Sequence, residues 1–349
     1  MRKAFQLCTA KIAMTSLIAA WVTLATAGTS PAAAAQDPIF KDKTIEIYVG
    51  TSSGGSFDIY GRLIARHLGA HLPGAPTVVV RNMPGASGFS MTNWLYNVAP
   101  KDGTVIGVAP PQVAVNQAMQ LEGVRYDARK FNWLFRAVHA DETSYTWHSS
   151  KTKSIADAKL RETIIGASAI SSGGAIYMNL MNATLGTKFK LVLGYAGTTE
   201  VHLAMERGEV EGTSKPWAGL KVENADWIRD RKIQILVQYG RERAEELPDV
   251  PTLTELARND LDRKAFQFLT VSPTIGRSFF APPGVPQERV EILRTSFKGL
   301  LGDSDFLSDA KAQAAELGPL EGAILQSLVE EAFGHPPEVV LRAKQAGGL

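Results

Sequence analysis

The chain has a single cysteine among its 349 residues, Cys8. A disulfide framework and a thiolate metal site are therefore both excluded. Charge of either sign is not in excess, with 37 basic residues against 35 acids, so nothing points to a nucleic-acid partner. The phosphate-binding pattern G-x-x-x-x-G-K-[ST], the dinucleotide pattern G-x-G-x-x-G and the zinc-protease pattern H-E-x-x-H are all missing. No cofactor is expected. Past the first 35 residues, no apolar run is long enough to cross a bilayer.

The N-terminus has what the rest lacks. Arg2 and Lys3 precede an apolar run from Ile12 to Ala27, and small residues follow to Ala33-Ala34-Ala35. A charged start, an apolar middle and a small-residue end describe a secretory signal peptide, residues 1–35, with cleavage near Ala35. Arg2, Lys3 and Lys11 would leave with it, so the mature chain is expected to be near neutral, exported to the periplasm and soluble. Its remaining length suits two domains.

Short β-branched runs alternate with amphipathic stretches. Strands are expected at Thr44–Val49, Thr77–Val80, Thr104–Val108, Thr163–Gly166, Lys190–Leu193 and Ile233–Val237. Helices are expected at Ser56–Leu72, Ser90–Val98, Ala175–Leu185 and Thr199–Arg207, from apolar residues recurring at three-to-four spacing. The segment from Pro248 to Arg263 reads as a connection. Phe279-Phe280 reads as one more strand, followed by three C-terminal helices around Glu288–Leu301, Asp305–Leu317 and Ile324–Phe333. This alternation implies an α/β fold of mostly parallel sheets flanked by helices.

Two glycine-rich turns occupy corresponding places. Ser52-Ser53-Gly54-Gly55 follows the first strand and opens a helix, and Ser171-Ser172-Gly173-Gly174 does so in the second set. Glycine lets a ligand approach the backbone. The first N–H groups of a helix lack intrahelical partners and its dipole is positive there, so a carboxylate or phosphate is the natural guest. A Ser-Gly turn is also ordinary connection chemistry. The same residues allow a rival reading. Gly50-Thr51-Ser52-Ser53-Gly54 fits the G-x-S-x-G nucleophile elbow, with Asp249 and His335 downstream in hydrolase order. Against it, no upstream loop is available for a second oxyanion donor, and His335 stands in a polar tail before Pro336-Pro337. His67 and His71 have metal-compatible i, i+4 spacing, but they flank an apolar stripe, which favours partly buried or solvated side chains.

Six ordered motifs resemble the Bug-type periplasmic receptors of the tripartite tricarboxylate transporter family. Gly54-Gly55 with Asp58 and Arg62 is the first, and Val78–Gly88 with its Asn-Met-Pro-Gly-Ala turn the second. Pro100–Thr104, Gly194-Tyr195-Ala196-Gly197, Leu247–Thr252 and Ala281–Pro286 complete the series. The resemblance implies a Venus-flytrap binding protein, not an enzyme. Domain 1 would span 43–137 with 272–349 returning to it, and domain 2 would span 138–271. It also implies a carboxylate ligand, integral membrane transporter subunits as partners, and a monomeric receptor. The ligand-binding loops implied are Thr51, Ser52, Ser53, Gly54, Gly55, Ser56 and Asp58 on one side, and Ser168, Ile170, Ser171, Ser172 and Gly173 on the other. Tyr195, Gly197, Thr198 and Trp217 are further implied walls. The first loop lacks the family's Pro-Phe, and the second lacks its Gly-Asn-Gly-Ser and histidine. Phe57 and Ile170 suggest a ligand with an apolar or aromatic body. A sensor that presents its ligand to a signalling partner fits the same features.

Overall fold

β-branched residues line up on one face of the first strand, β1 (Thr44–Val49), where Ile45, Ile47 and Val49 are all fully buried. Burial of each such side chain stabilises by roughly 1.5–3 kcal/mol. The computed structural model describes residues 39–108 and 111–349, so the signal-peptide reading of residues 1–35 lies outside the described residues. Helix α1 (Ser56–His71) follows, turning Tyr60, Leu63, Ile64 and Leu68 onto the sheet. β2 (Thr77–Asn82), α2 (Phe89–Asn97), β3 (Val105–Val108), α3 (Val113–Ala118) and β4 (Asn132–Arg136) complete the first half of this lobe.

The chain then crosses through β5 (Glu142–Trp147) into a second sheet. There α4 (Ile155–Leu160), β6 (Thr163–Gly166), α5 (Gly173–Leu185), β7 (Phe189–Val192) and α6 (Thr198–Glu206) follow. β8 (Gly212–Pro216), α7 (Trp217–Glu223), α8 (Ala225–Arg229), β9 (Ile233–Gln238) and α9 (Asp260–Ile275) complete this part. β10 (Ser278–Ala281) returns to the first sheet, with α10 (Gln287–Gly299), α11 (Ser304–Ala312), β11 (Leu320–Glu321), α12 (Gly322–Phe333) and α13 (Pro337–Ala346) after it. No helix among the described residues is long and apolar enough to cross a membrane.

The sheets run β11-β4-β10-β3-β1-β2 and β7-β6-β8-β5-β9. β1, β2 and β3 are mutually parallel, as are β6, β7 and β8. The exceptions are the strands that cross between lobes and the short edge strand β11, which is antiparallel to β4. β10 is antiparallel to both β3 and β4, and β5 is antiparallel to both β8 and β9. Each sheet is thus mostly parallel, as the alternation implied, with a reversed strand where the chain changes lobe. The crossover segments hold each other. Ala137 N–H donates to Arg277 O, Arg277 N–H to Val138 O, and Ala140 N–H to Pro273 O, all at 2.9 Å.

Several elements differ from the sequence expectation. Most of α9 falls after the expected connection, and a polar start at Asp260 and an internal Pro273 hide its apolar stripe. The segment after His335 is no tail, because Pro336-Pro337 opens α13, where fixed φ and a missing N–H suit a helix start. That last helix packs against α9 and α5.

Candidate functional site

The two glycine turns open onto one cavity of about 1070 Å³. From the first turn, Thr51, Ser52, Ser53, Gly54, Gly55 and Ser56 line it. From the second, Ser168, Ser171, Ser172 and Gly173 do, and Gly197 and Thr198 add a third wall at the start of α6. Phe57, Phe89, Pro84, Pro111, Pro216 and Pro273 supply apolar surface.

Four of the expected site residues lie outside this lining. Asp58 is buried behind the first turn rather than in the cavity. Its carboxylate accepts from Gly54 N–H at 2.8 Å, Arg62 Nε at 2.8 Å and Asn82 Nδ2 at 2.9 Å. Burial alone would raise its pKa, but these hydrogen bonds hold it below the usual carboxylate value. It fastens the loop instead of capping the helix, whose N-cap Gly55 has no side-chain cap. Ile170 is 40% exposed and outside the lining, since the neighbouring Ser168 and Ala169 face the cavity in its place. Tyr195 packs against the outer core of the second lobe. Trp217 is buried in that same core, its indole N–H donating to Glu246 at 2.5 Å.

The hydrolase constellation does not assemble. Ser52 lines the cavity, while His335 packs edge-on against Phe268 at 5.2 Å and neither it nor Asp249 reaches the lining. His67 and His71 bind two different carboxylates, Asp309 at 2.9 Å and Asp303 at 2.8 Å, and so tie α1 to the α11 region. No group of three or more potential metal ligands occurs among the described residues.

Sequence reasoning missed the charged residues. Arg277 follows Gly276 at the crossover and is fully buried. Its Nη2 donates to Ser56 Oγ at 2.9 Å, and its guanidinium lies 5.3 Å and 5.0 Å from the Phe57 and Tyr60 ring centroids. Its Nε has no hydrogen-bond partner among the described residues, and it makes no salt bridge there. Burial lowers its pKa, but arginine remains cationic. The result is a buried positive charge behind the first turn, without a salt bridge among the described residues but within electrostatic reach of Glu223 and Glu316. Ser56 Oγ accepts from that cation, so its own O–H is left to donate into the cavity. Lys215, on β8, also lines the cavity but is paired with Glu223 at 2.6 Å. Glu142, the first residue of β5, lines it as well. Burial pushes its carboxyl up to about 7. No sequence signal marked these residues: an isolated Arg after a Gly and a Glu opening a Thr- and Ser-rich strand match no motif.

A two-lobed α/β molecule with a cavity between strand–turn–helix openings defines the periplasmic-binding-protein architecture. No family model matches the chain. It is 26% identical over 274 residues to the UPF0065 protein in gbd 5'region of Cupriavidus necator, covering 76% of this chain and 77% of that one. Among solved structures, the periplasmic binding protein BugD superposes with a TM-score of 0.66 at 20% identity, over 88% of this chain and 99% of its own. The R. palustris protein solved with adipate gives a TM-score of 0.66 at 21% identity, over 87% and 97%. The chain thus resembles the Bug-type receptors in fold as well as in the order of its motifs.

Proposed function

We propose that this chain is a periplasmic solute-binding protein that captures a small organic anion between two lobes and delivers it to a tripartite tricarboxylate transporter. The observation that carries the reading is the single cavity onto which both glycine-rich helix openings face, backed at Ser56 by the buried Arg277. Such a site is poised for a carboxylate: free helix N–H groups, hydroxyl donors and a fixed positive charge act together in a partly dehydrated space. The adipate in the R. palustris relative supports a carboxylate guest, and the Phe57, Phe89 and proline surfaces support an apolar body.

The domains would be 43–137 with 272–349, and 138–271, closing on the ligand about the paired segments near Val138 and Arg277. The closed form would then be recognised by integral membrane subunits, and the receptor would act as a monomer after signal cleavage near Ala35. Thr51 to Ser56, Ser168, Ser171 to Gly173, Gly197 and Thr198 are the proposed contacts. A thermal-shift panel of aliphatic and aromatic carboxylates tests this. A true ligand at 100 times its Kd stabilises by about 2.7 kcal/mol. If no carboxylate shifts the transition, the capture reading fails. If esters are consumed and Ser52→Ala abolishes it, the chain is a hydrolase.

A further inference from the structure

The cavity is polarised. Of its charged lining residues, Lys215 is neutralised by Glu223, and Glu122 and Arg125 stand exposed. Glu142 differs from all of these, because its carboxylate has no ion pair and no hydrogen-bond partner among the described residues. It lies against the first turn of α5. A Cβ placed on Gly173 would come within 2.7 Å of Glu142 Oε2 and, equally, within 2.7 Å of Gln112 Nε2. The ends of both side chains therefore border this corner without a hydrogen bond between them. Asn116 stands one helical turn beyond Gln112 and also lines the cavity. It is 3% exposed, and its Oδ1 is buried with no partner among the described residues.

Two acceptors without donors thus line the cavity, Glu142 from the second lobe and Asn116 from α3 of the first, while the Arg277 cation sits behind the first turn. A second carboxylate of the ligand would meet Glu142 as a like charge and give Asn116 Oδ1 nothing. An ammonium group has three N–H donors and a charge opposite to that of Glu142. The α5 opening is therefore no simple repeat of the α1 opening, since the protein's own carboxylate already occupies the space beside it.

We propose that Glu142 and Asn116 form a subsite for a cationic amino group, so that the ligand is an amino-bearing carboxylate held with its acid end toward Ser56. This rests on the carboxylate-capture reading and narrows its ligand class.

The test is isothermal titration of the full mature chain with matched pairs: phenylalanine against 3-phenylpropionate, glutamate against glutarate, and 5-aminopentanoate against pentanoate. The tightest binder is expected to carry the amino group and to exceed its deaminated partner by about tenfold or more, the equivalent of one charged hydrogen bond. Glu142→Gln is expected to remove that advantage, so that the amino-bearing acid and its deaminated partner bind with similar affinity. The wild-type comparison stands even if the variant does not fold. Deaminated acids that bind as tightly as their amino partners overturn the nitrogen subsite while carboxylate capture survives. So does an amino preference that persists in Glu142→Gln. If neither member of any pair binds and the wider carboxylate panel is also silent, both readings fall.

Discussion

Asp58 accepts a hydrogen bond from the backbone N–H of Gly54 at 2.8 Å, four residues before it in the chain. Gly54 has φ +84°, a left-handed conformation that glycine adopts without strain. The carboxylate thus fixes a turn that glycine makes possible, and Arg62 and Asn82 hold the carboxylate in turn. Asn82 Nδ2 also donates to Thr51 O at 3.1 Å, so both ends of the loop are tied to one cluster. The spacing of Gly54, Asp58 and Arg62 has a mechanical cause, which is support of the binding turn from behind.

Asp58→Ala should therefore loosen the loop without removing any cavity-lining group. Losing charge-assisted hydrogen bonds costs about 1.5–3 kcal/mol. Because the folded pKa lies below the unfolded value near 3.8, this contribution is present above that pH and is lost as pH falls through the folded pKa. Urea unfolding at pH 7 should show the loss, and the difference between variant and wild type should shrink as pH falls below about 3.8. Amide exchange at Gly54 should accelerate. An unchanged Gly54 amide would mean the turn holds its shape by itself.

Arg277 yields a prediction in which stability and binding separate. The side chain is fully buried, its Nε is unsatisfied, and no carboxylate pairs with it among the described residues. Replacing a buried charge by an apolar side chain of similar length is often neutral for stability. Loss of its contacts with the Phe57 and Tyr60 rings offsets part of any gain, by about 1–2 kcal/mol. Arg277→Met is thus expected to shift stability by no more than about 2 kcal/mol. Its affinity for the carboxylate ligand should fall at least about tenfold. Thermal unfolding and titration on the same preparation check both halves. Equal affinity in the variant would remove Arg277 from the site.

The parallel strands and the helices packed on them were legible because their apolar periodicity is strong. Ile45, Ile47 and Val49 alternate, and Tyr60, Leu63, Ile64 and Leu68 recur at helical spacing. β5 and β8 were not legible. Their inward residues Ser144 and Ser214 are polar and satisfy one another through a buried hydroxyl pair, so no apolar pattern marks these strands. The turns at Ser52 and Ser171 were found because glycine and serine carry the local chemistry. The cavity's charges were not found, because Glu142 and Arg277 acquire their importance from burial, a property of the assembled fold. Trp217 shows a related ambiguity: an aromatic suits a pocket wall or a core, and here the ring is buried in the core while its N–H reaches out to the exposed Glu246.

Two glycines distinguish space from backbone. Gly173 has room for a Cβ only if the flexible ends of Gln112 and Glu142 give way. Gly173→Ala should fold normally, because the atoms in the way are the ends of flexible side chains. It should nevertheless weaken ligand binding by displacing Glu142. Gly276 has φ +59°, and a Cβ there would meet Val138 O at 2.3 Å on the paired crossover strand. Gly276→Ala should lower stability by about 2–3 kcal/mol or more, because backbone on both sides must shift. A Gly276→Ala protein with wild-type stability would show that the crossover can relax freely.

Two titratable groups of the second lobe, the buried His202 and the half-buried Glu142, should bend the pH–stability curve in opposite senses. His202 is 6% exposed, bonded through Nε2 to Tyr145 OH at 2.6 Å, and pushed down to about 3 by burial first and Lys215 second. The unfolded chain takes up this proton near pH 6.5, while the folded chain refuses it until near pH 3. Stability is therefore lost as pH falls through that window, by up to about 5 kcal/mol. Glu142 is pushed up to about 7 by burial. The unfolded chain releases its proton near pH 4.5, so stability falls as pH rises from there to about 7, by up to about 3 kcal/mol. The stacked Tyr177 and Tyr239 face Glu142 and are themselves raised, first by burial and then by its charge, so they stay neutral and leave the window unchanged. Urea midpoints between pH 4 and pH 8 should show His202→Asn flattening the acid side. Glu142→Gln should gain on the wild type as pH rises. A Glu142→Gln protein that tracks the wild type across the whole range would place that carboxylate in water rather than in the wall of the cavity.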